Sequence, residues 1–79
     1  MVAEKVKEII SAQLGCKSEK LQPGDLFSTE LCADDFDMTM IIAEIEGEFN
    51  IEIPDTAAAQ IFTVGDLIKY VEERVKNGK

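Results

Sequence analysis

Three aspartates, Asp34, Asp35 and Asp37, stand together at the start of a predicted helix, and their side chains are the obvious candidates for chemistry. Clustered carboxylates can hold a hard cation, or they can act as an acid–base pair when their surroundings separate their pKa values. Their spacing does not match an EF-hand calcium loop and lacks its glycine. An exposed helix start also gives two carboxylates no shielded pocket. We therefore expect no metal site and no catalytic residue here.

The rest of the composition also argues against catalysis. The chain has no histidine, so a Ser–His or Cys–His pair cannot form. Its two cysteines, Cys16 and Cys32, lack the spacing of zinc ligands, and both are predicted to be free thiols in a reducing cytoplasm. We interpret Cys16 as core filler and Cys32 as a small apolar residue in a loop wall. The sequence predicts that the protein is not an enzyme.

The charge distribution indicates what kind of partner to expect. The 79 residues include 16 acids and 8 bases, which gives a net charge of -8, and no Lys or Arg occurs between Leu21 and Ile68. Such a field repels nucleic acid and anionic membranes and attracts basic protein patches. No signal peptide and no apolar run long enough for a membrane span is recognised. We expect a cytoplasmic monomer with basic protein partners; the alternative is that the acids only solubilise the surface.

Helical periodicity defines the elements that must position the aspartates. Apolar residues recur at helical spacing over residues 2–14, and Gly15 suits a left-handed cap after them. The second helix follows the aspartates and has one continuous apolar face. That face consists of Met38, Ile41, Ile42, Ile45 and Phe49. One of the three aspartates should cap this helix, and the others should favour its dipole.

The remaining segments complete a small all-α four-helix bundle, and residues 1–79 are predicted to form a single domain. A short helix over residues 56–61 is expected to be capped by Asp55, and a last helix spans about residues 64–76. Thr63 and Asp66 resemble a capping box at its start. Residues 15–33 form a long loop, which scattered apolar side chains should pin to the bundle. Those side chains are Cys16, Leu21, Leu26, Phe27 and Leu31.

These elements resemble the acyl carrier proteins over nearly the whole chain. The resemblance rests on residues 6–10, 13–15, 31–37, 46–55 and 61–66, and above all on the Glu-Phe-x-x-Glu-Ile-Pro-Asp run at residues 48–55. It implies a bundle that tethers a growing acyl chain for fatty-acid or polyketide type biosynthesis. In the family the tether is 4'-phosphopantetheine, held on a serine within an Asp-Ser-Leu motif at the start of helix two.

This sequence departs from the motif at the attachment position. Asp34 matches the leading aspartate, but Asp35 replaces the serine, Phe36 the leucine, and Cys32 a glycine two residues before the aspartate. A carboxylate attacking a phosphoanhydride would give a labile acyl phosphate, so Asp35 should carry no arm and this chain no cofactor. Asp35 is either natural, in a degenerate carrier, or an engineered replacement of serine. The further changes at Cys32 and Phe36 favour the natural variant.

The resemblance also implies that the acidic second helix docks onto basic patches of partner enzymes such as synthases and transferases. The predicted docking residues are Asp34, Asp37, Glu44, Glu46 and Glu48. Glu44 has no clear match in the family, Met40 stands where the family is often acidic, and Gly47 interrupts the acidic run. The alternative is a non-carrier acidic interaction module. An apolar channel between helices two and three would distinguish a carrier descendant from that module.

Overall fold

The computed structural model describes residues 2–76, which form a bundle of four α-helices with no β-strand among them. The predicted all-α four-helix class is confirmed, and the first and last helices match their predicted bounds. The loops of the described residues also contain one 3-10 turn and an isolated β-bridge between Leu26 and Thr63. The helices are α1 (Val2–Leu14), α2 (Asp35–Phe49), α3 (Asp55–Ala58) and α4 (Val64–Lys76), and the 3-10 turn is Ser18–Lys20.

The core lies between α1, α2 and α4, whose apolar stripes meet along the bundle axis. Each fully buried aliphatic side chain contributes about 1.5–3 kcal/mol through the hydrophobic effect. Helix α3 contains no buried residue, so it covers the bundle without anchoring it. The apolar face predicted for α2 is confirmed, since all five of its residues lie in the core or pack against it, whereas Val75 near the end of α4 is 40% exposed. The fully buried side chains are Val6, Ile10, Ile41, Ile45, Val64, Leu67 and Val71.

The caps predicted at the end of α1 and at the start of α4 are also observed. Gly15 takes a φ of 75°, and its N–H donates to the Ser11 carbonyl at 2.8 Å. At the start of α4 the Asp66 N–H donates to Thr63 Oγ1 at 3.0 Å, and the Thr63 N–H donates to Asp66 Oδ2 at 3.1 Å. Asp thus replaces Glu in a working capping box.

The prediction for the short third helix is wrong in its bounds and its cap. Pro54 occupies the N-cap position, and Asp55 is the first helical residue without any side-chain capping bond. The helix ends early because the Ile61 N–H donates to the Ala58 carbonyl at 3.1 Å, in a tighter turn. That turn brings Ile61 into the core at 8% exposure, and this burial outweighs the helix propensity of the alanines.

The long loop between α1 and α2 is held by its backbone as well as by its side chains. Leu21 and Phe27 are buried as predicted, but Leu26 is 37% exposed, so the prediction that its side chain pins the loop is wrong. Two loop carbonyls accept hydrogen bonds from the first turn of α4, Pro23 from the Gly65 N–H at 2.8 Å and Asp25 from the Val64 N–H at 3.1 Å. The loop thereby fixes where the chain enters α2.

Candidate functional site

The start of α2 is closed by a reciprocal pair of hydrogen bonds between two of the three aspartates. Asp34 is the N-cap residue, and the Asp37 N–H donates to its Oδ1 at 2.8 Å. In return the Asp34 N–H donates to Asp37 Oδ2 at 3.3 Å. Both negative charges lie at the partly positive end of the helix, where they stabilise it. The structure therefore gives Asp34 and Asp37 a capping function, as the sequence predicted for one of the aspartates.

Asp37 also joins the start of α2 to the end of α1. Its Oδ1 accepts a hydrogen bond of 3.2 Å from the Gln13 amide, and its side chain is half-buried. This contact between helices was not predicted from the sequence, because the long loop between Gln13 and Asp37 conceals their proximity. It fixes the position of the residues that follow the cap.

Asp35 is the first residue of α2, and its side chain is exposed. Its carboxylate has no hydrogen-bond or ion-pair partner in the described part of the chain, in contrast to Asp34 and Asp37. Only the Asp35 backbone carbonyl is engaged, by the Thr39 hydroxyl at 2.9 Å. The site thus presents an accessible carboxylate at a rigid helix start, where an external group can reach it.

Cys32 is more exposed than predicted, and Phe36 between the aspartates is exposed as well. Cys32 is solvent-exposed instead of lining a loop wall, and its thiol donates to the Thr29 carbonyl at 3.2 Å. Its φ of 53° lies in the left-handed region, which costs a residue with a side chain about 1–2 kcal/mol and which glycine adopts freely. This backbone turn orients the Cys32 side chain outward. Phe36, the second residue of α2, is 67% exposed.

The acids farther along α2 lie on two different sides of the helix. Glu44 and Glu48 are exposed and line a groove against α1. Glu46 faces the other way, and its Oε2 accepts a 2.8 Å hydrogen bond from the Ile53 N–H in the connection to α3. Asp37 lies on the α1 side with Glu44 and Glu48. The predicted acidic face is therefore present, with Glu46 outside it and engaged in a hydrogen bond within the chain.

A second groove separates α2 from the short α3. It encloses about 280 Å³ and begins at Thr39, one turn after Asp35. Its lining combines aliphatic side chains with the acidic residues Glu46 and Asp55. The lining residues are Thr39, Ile42, Ala43, Glu46, Ile53, Asp55 and Ala58. An apolar channel was expected here for a carrier descendant, but three of the seven residues that line the observed groove are polar.

The two carboxyl groups with clearly shifted pKa values lie away from this site and hold the loops. The backbone N–H of Leu26 bonds to the Glu30 carboxylate at 2.8 Å and lowers its pKa, with help from the Thr29 hydroxyl. The backbone N–H of Phe62 likewise lowers the pKa of Asp66.

Residues 2–76 include no group of three or more potential ligands that could hold a metal ion, and no helix among them is long and apolar enough to cross a membrane.

The fold and the site define a small helical bundle domain, in which the start of α2 presents the exposed Asp35 and Phe36 one turn from a groove. Comparison with known proteins agrees with this class. The family described as "Phosphopantetheine attachment site" matches residues 4–71. The chain is 43% identical over 72 residues to the acyl carrier protein of Sinorhizobium fredii (strain NBRC 101917 / NGR234) and to the acyl carrier protein AcpP of Rhizobium meliloti (strain 1021), and each alignment covers 91% of this chain and 92% of the relative.

A solved structure of the acyl carrier protein from Enterococcus faecalis superposes with a TM-score of 0.79 at 30% identity, covering 92% of both chains. The present chain therefore belongs to the acyl carrier protein family. Because acyl carrier proteins are carriers and not enzymes, this membership also confirms the prediction that the chain is not an enzyme.

Proposed function

We propose that this chain is an acyl-carrier-like module of fatty-acid or polyketide type biosynthesis that binds partner enzymes without carrying 4'-phosphopantetheine. The observation that supports the loss of the arm is the exposed Asp35 at the first position of α2, where the family resemblance expects the modified serine. A carboxylate on phosphorus would form a mixed anhydride, which water hydrolyses readily. The residues present therefore do not fit the group.

A neighbouring hydroxyl is a poor substitute for the missing serine. The nearest one along α2 is Thr39, a full turn into the helix, and it donates to the Asp35 carbonyl at 2.9 Å. A transferase must hold the attacking hydroxyl in a defined geometry against coenzyme A, so a shift by one turn would displace it from the reacting phosphate. Ser28 lies well upstream in the loop. We propose no attachment at either residue.

The test is to incubate the protein with coenzyme A and a broad-specificity phosphopantetheinyl transferase and then to measure its intact mass. We expect no adduct on the protein with Asp35 or on Asp35→Asn, which removes the charge without adding a hydroxyl. We expect one arm on Asp35→Ser. An adduct on the protein with Asp35 would overturn the proposal, and Thr39→Val would then show whether Thr39 carries it.

Partner docking is proposed for the acids of α2 as a group, namely Asp34, Asp37, Glu44, Glu46 and Glu48. Glu44 has the best access, because Glu48 lies 3.9 Å from the Lys5 ammonium group and the other three carboxylates accept hydrogen bonds from within the chain. Docking of this kind should weaken steeply with salt, since exposed charges are screened beyond about 8–10 Å at physiological ionic strength. An affinity for a basic synthase that does not change with salt would contradict it.

The alternative function is an acidic interaction module without any link to acyl chemistry. In this alternative, a protein partner would cover Phe36 and Met40, which are 67% and 40% exposed on α2. The groove beside α3 does not decide between the two functions, because its lining includes Thr39, Glu46 and Asp55 and is not the apolar channel expected of a carrier descendant. If the Asp35→Ser variant is not modified by the transferase, the docking surface has also diverged and the interaction module gains support.

We further propose a single-domain monomer in the cytoplasm.

A further inference from the structure

The groove between α1 and α2 has the shape and composition of a docking surface. It encloses about 440 Å³ and is separate from the groove between α2 and α3, with which it shares no lining residue. Ile9 and the fully buried Ile41 contribute its apolar base, and Met40, which is 40% exposed, forms part of its wall. Methionine adapts its shape to a partner more easily than a branched side chain does.

The charges around this groove are unbalanced. Three carboxylates, those of Glu8, Glu44 and Glu48, and one ammonium group, that of Lys5, line it, so that three negative charges and one positive charge give -2. The Lys5 ammonium group lies 3.6 Å from Glu8 and 3.9 Å from Glu48. Glu44 has no ion-pair partner among residues 2–76. A cationic partner would therefore complement the groove and would meet Glu44 without displacing an existing ion pair.

The α2 residues that line the groove beside α3 lack this combination. With about 100° of rotation per residue, Met40, Glu44 and Glu48 follow one side of the helix, and Ala43 and Glu46 the other. The carboxylate of Glu46 already accepts a hydrogen bond from the backbone. Among the α2 residues that line the two grooves, an unpaired carboxylate (Glu44) and an exposed large apolar side chain (Met40) thus occur together on the side that faces α1.

We propose that the α1–α2 groove docks a cationic amphipathic helix of a partner protein. An apolar side chain of that helix enters the groove beside Met40, and flanking Lys or Arg side chains meet Glu44 and Glu48. This inference rests on the proposed function only in taking the partner to be basic. It adds that the partner approaches α2 from the side of α1 and not from the side of the groove near Asp35.

The experiment is a titration of the ¹⁵N-labelled protein with a synthetic helical peptide of leucine and lysine whose leucines lie on one face. Amide shift changes should concentrate on the residues that line the α1–α2 groove. Glu44→Gln should weaken peptide binding about threefold at low salt, and Met40→Gln about fivefold. Asp55→Asn is the matched charge control, because Asp55 is exposed and lines only the other groove; Phe62→Gln is the matched apolar control, since Phe62 is 58% exposed and lines neither.

Three outcomes would overturn the inference. They are shift changes centred on the α2–α3 groove, equal weakening by Asp55→Asn and Glu44→Gln, and absence of peptide binding. The first two would leave docking to a basic partner intact. The intact mass of the Asp35→Ser variant after transferase treatment tests the proposed function separately, because that result does not depend on the peptide. Circular dichroism of each variant checks that the fold is retained.

Discussion

Asp34 offers a way to separate structural stabilisation from partner docking at the start of α2. Replacing it with alanine removes both its charge and its capping oxygen, whereas replacing it with asparagine removes only the charge. Asparagine keeps an oxygen that can accept the 2.8 Å hydrogen bond from the Asp37 N–H. The two variants therefore differ in whether residue 34 can cap the helix, whereas both lack its negative charge.

The expected loss of stability follows from the capping geometry. Replacing an N-cap aspartate with alanine costs about 1 kcal/mol, within a range of about 0.5–2 kcal/mol. Asparagine caps about as well as aspartate, so Asp34→Asn should lose only the favourable interaction of its charge with the helix dipole, about 0.3–1 kcal/mol and at the lower end for an exposed residue. For a domain of this size, each kcal/mol corresponds to a shift of about 4–8 °C in the melting temperature.

The assay combines urea denaturation with binding of a basic partner enzyme. Asp34→Ala should lower the free energy of unfolding by more than Asp34→Asn does. If Asp34 also takes part in docking, both variants should weaken binding equally, because both lose the same charge. Equal stability of the two variants would refute the capping argument. Binding that follows stability instead of charge would show that Asp34 contributes to docking only by holding the helix.

Three further predictions follow from other features of the fold. Cys32→Gly should stabilise the protein by about 0.5–1 kcal/mol in urea denaturation, because glycine relieves the left-handed strain and loses only part of that gain to chain entropy. The control is Asn50→Gly, at a φ of 56°. It should change the stability little, since asparagine tolerates this conformation. Backbone N–H groups lower the pKa of Asp66 below its ordinary value of 3.8, so its contribution to stability is present above that pH and is lost as the pH falls through the lowered value. Asp66→Asn should therefore flatten the decline of stability below about pH 4, and an unchanged pH profile would contradict this. Ile41→Ala, at a fully buried position, should cost about 2–5 kcal/mol in the same denaturation assay, with a smaller loss for the half-buried Ile42→Ala; equal losses would contradict the observed packing.

Local signals in the sequence were sufficient for most of the fold. The bounds of α1 and α4, the glycine cap at Gly15 and the capping box of Thr63 and Asp66 depend on residues close together in the chain, and all of them were predicted. The short α3 was misjudged, because burial of Ile61 ends that helix. Such a tertiary effect leaves no mark in helix propensity.

The candidate site was predicted in part. Its place at the start of α2 and the capping by an aspartate followed from residue type and position. The bond between Gln13 and Asp37 and the bond between Glu46 and the Ile53 N–H depend on how distant segments meet, so no periodicity could show them. Likewise, the left-handed backbone at Cys32 is unexpected for a residue with a side chain, and only the comparison with a family glycine pointed to it.

The contact between the long loop and α4 has a consequence for the cooperativity of unfolding. The first amides of α4, at Val64 and Gly65, donate to carbonyls of a loop that lies far away in the sequence. A Cβ atom at Gly65 would lie 2.9 Å from the Pro23 carbonyl oxygen, so the two backbones can approach this closely because residue 65 has no side chain. Opening of the loop would expose the α4 amides to solvent. Their hydrogen-exchange rates should therefore report detachment of the α1–α2 loop as well as fraying of α4.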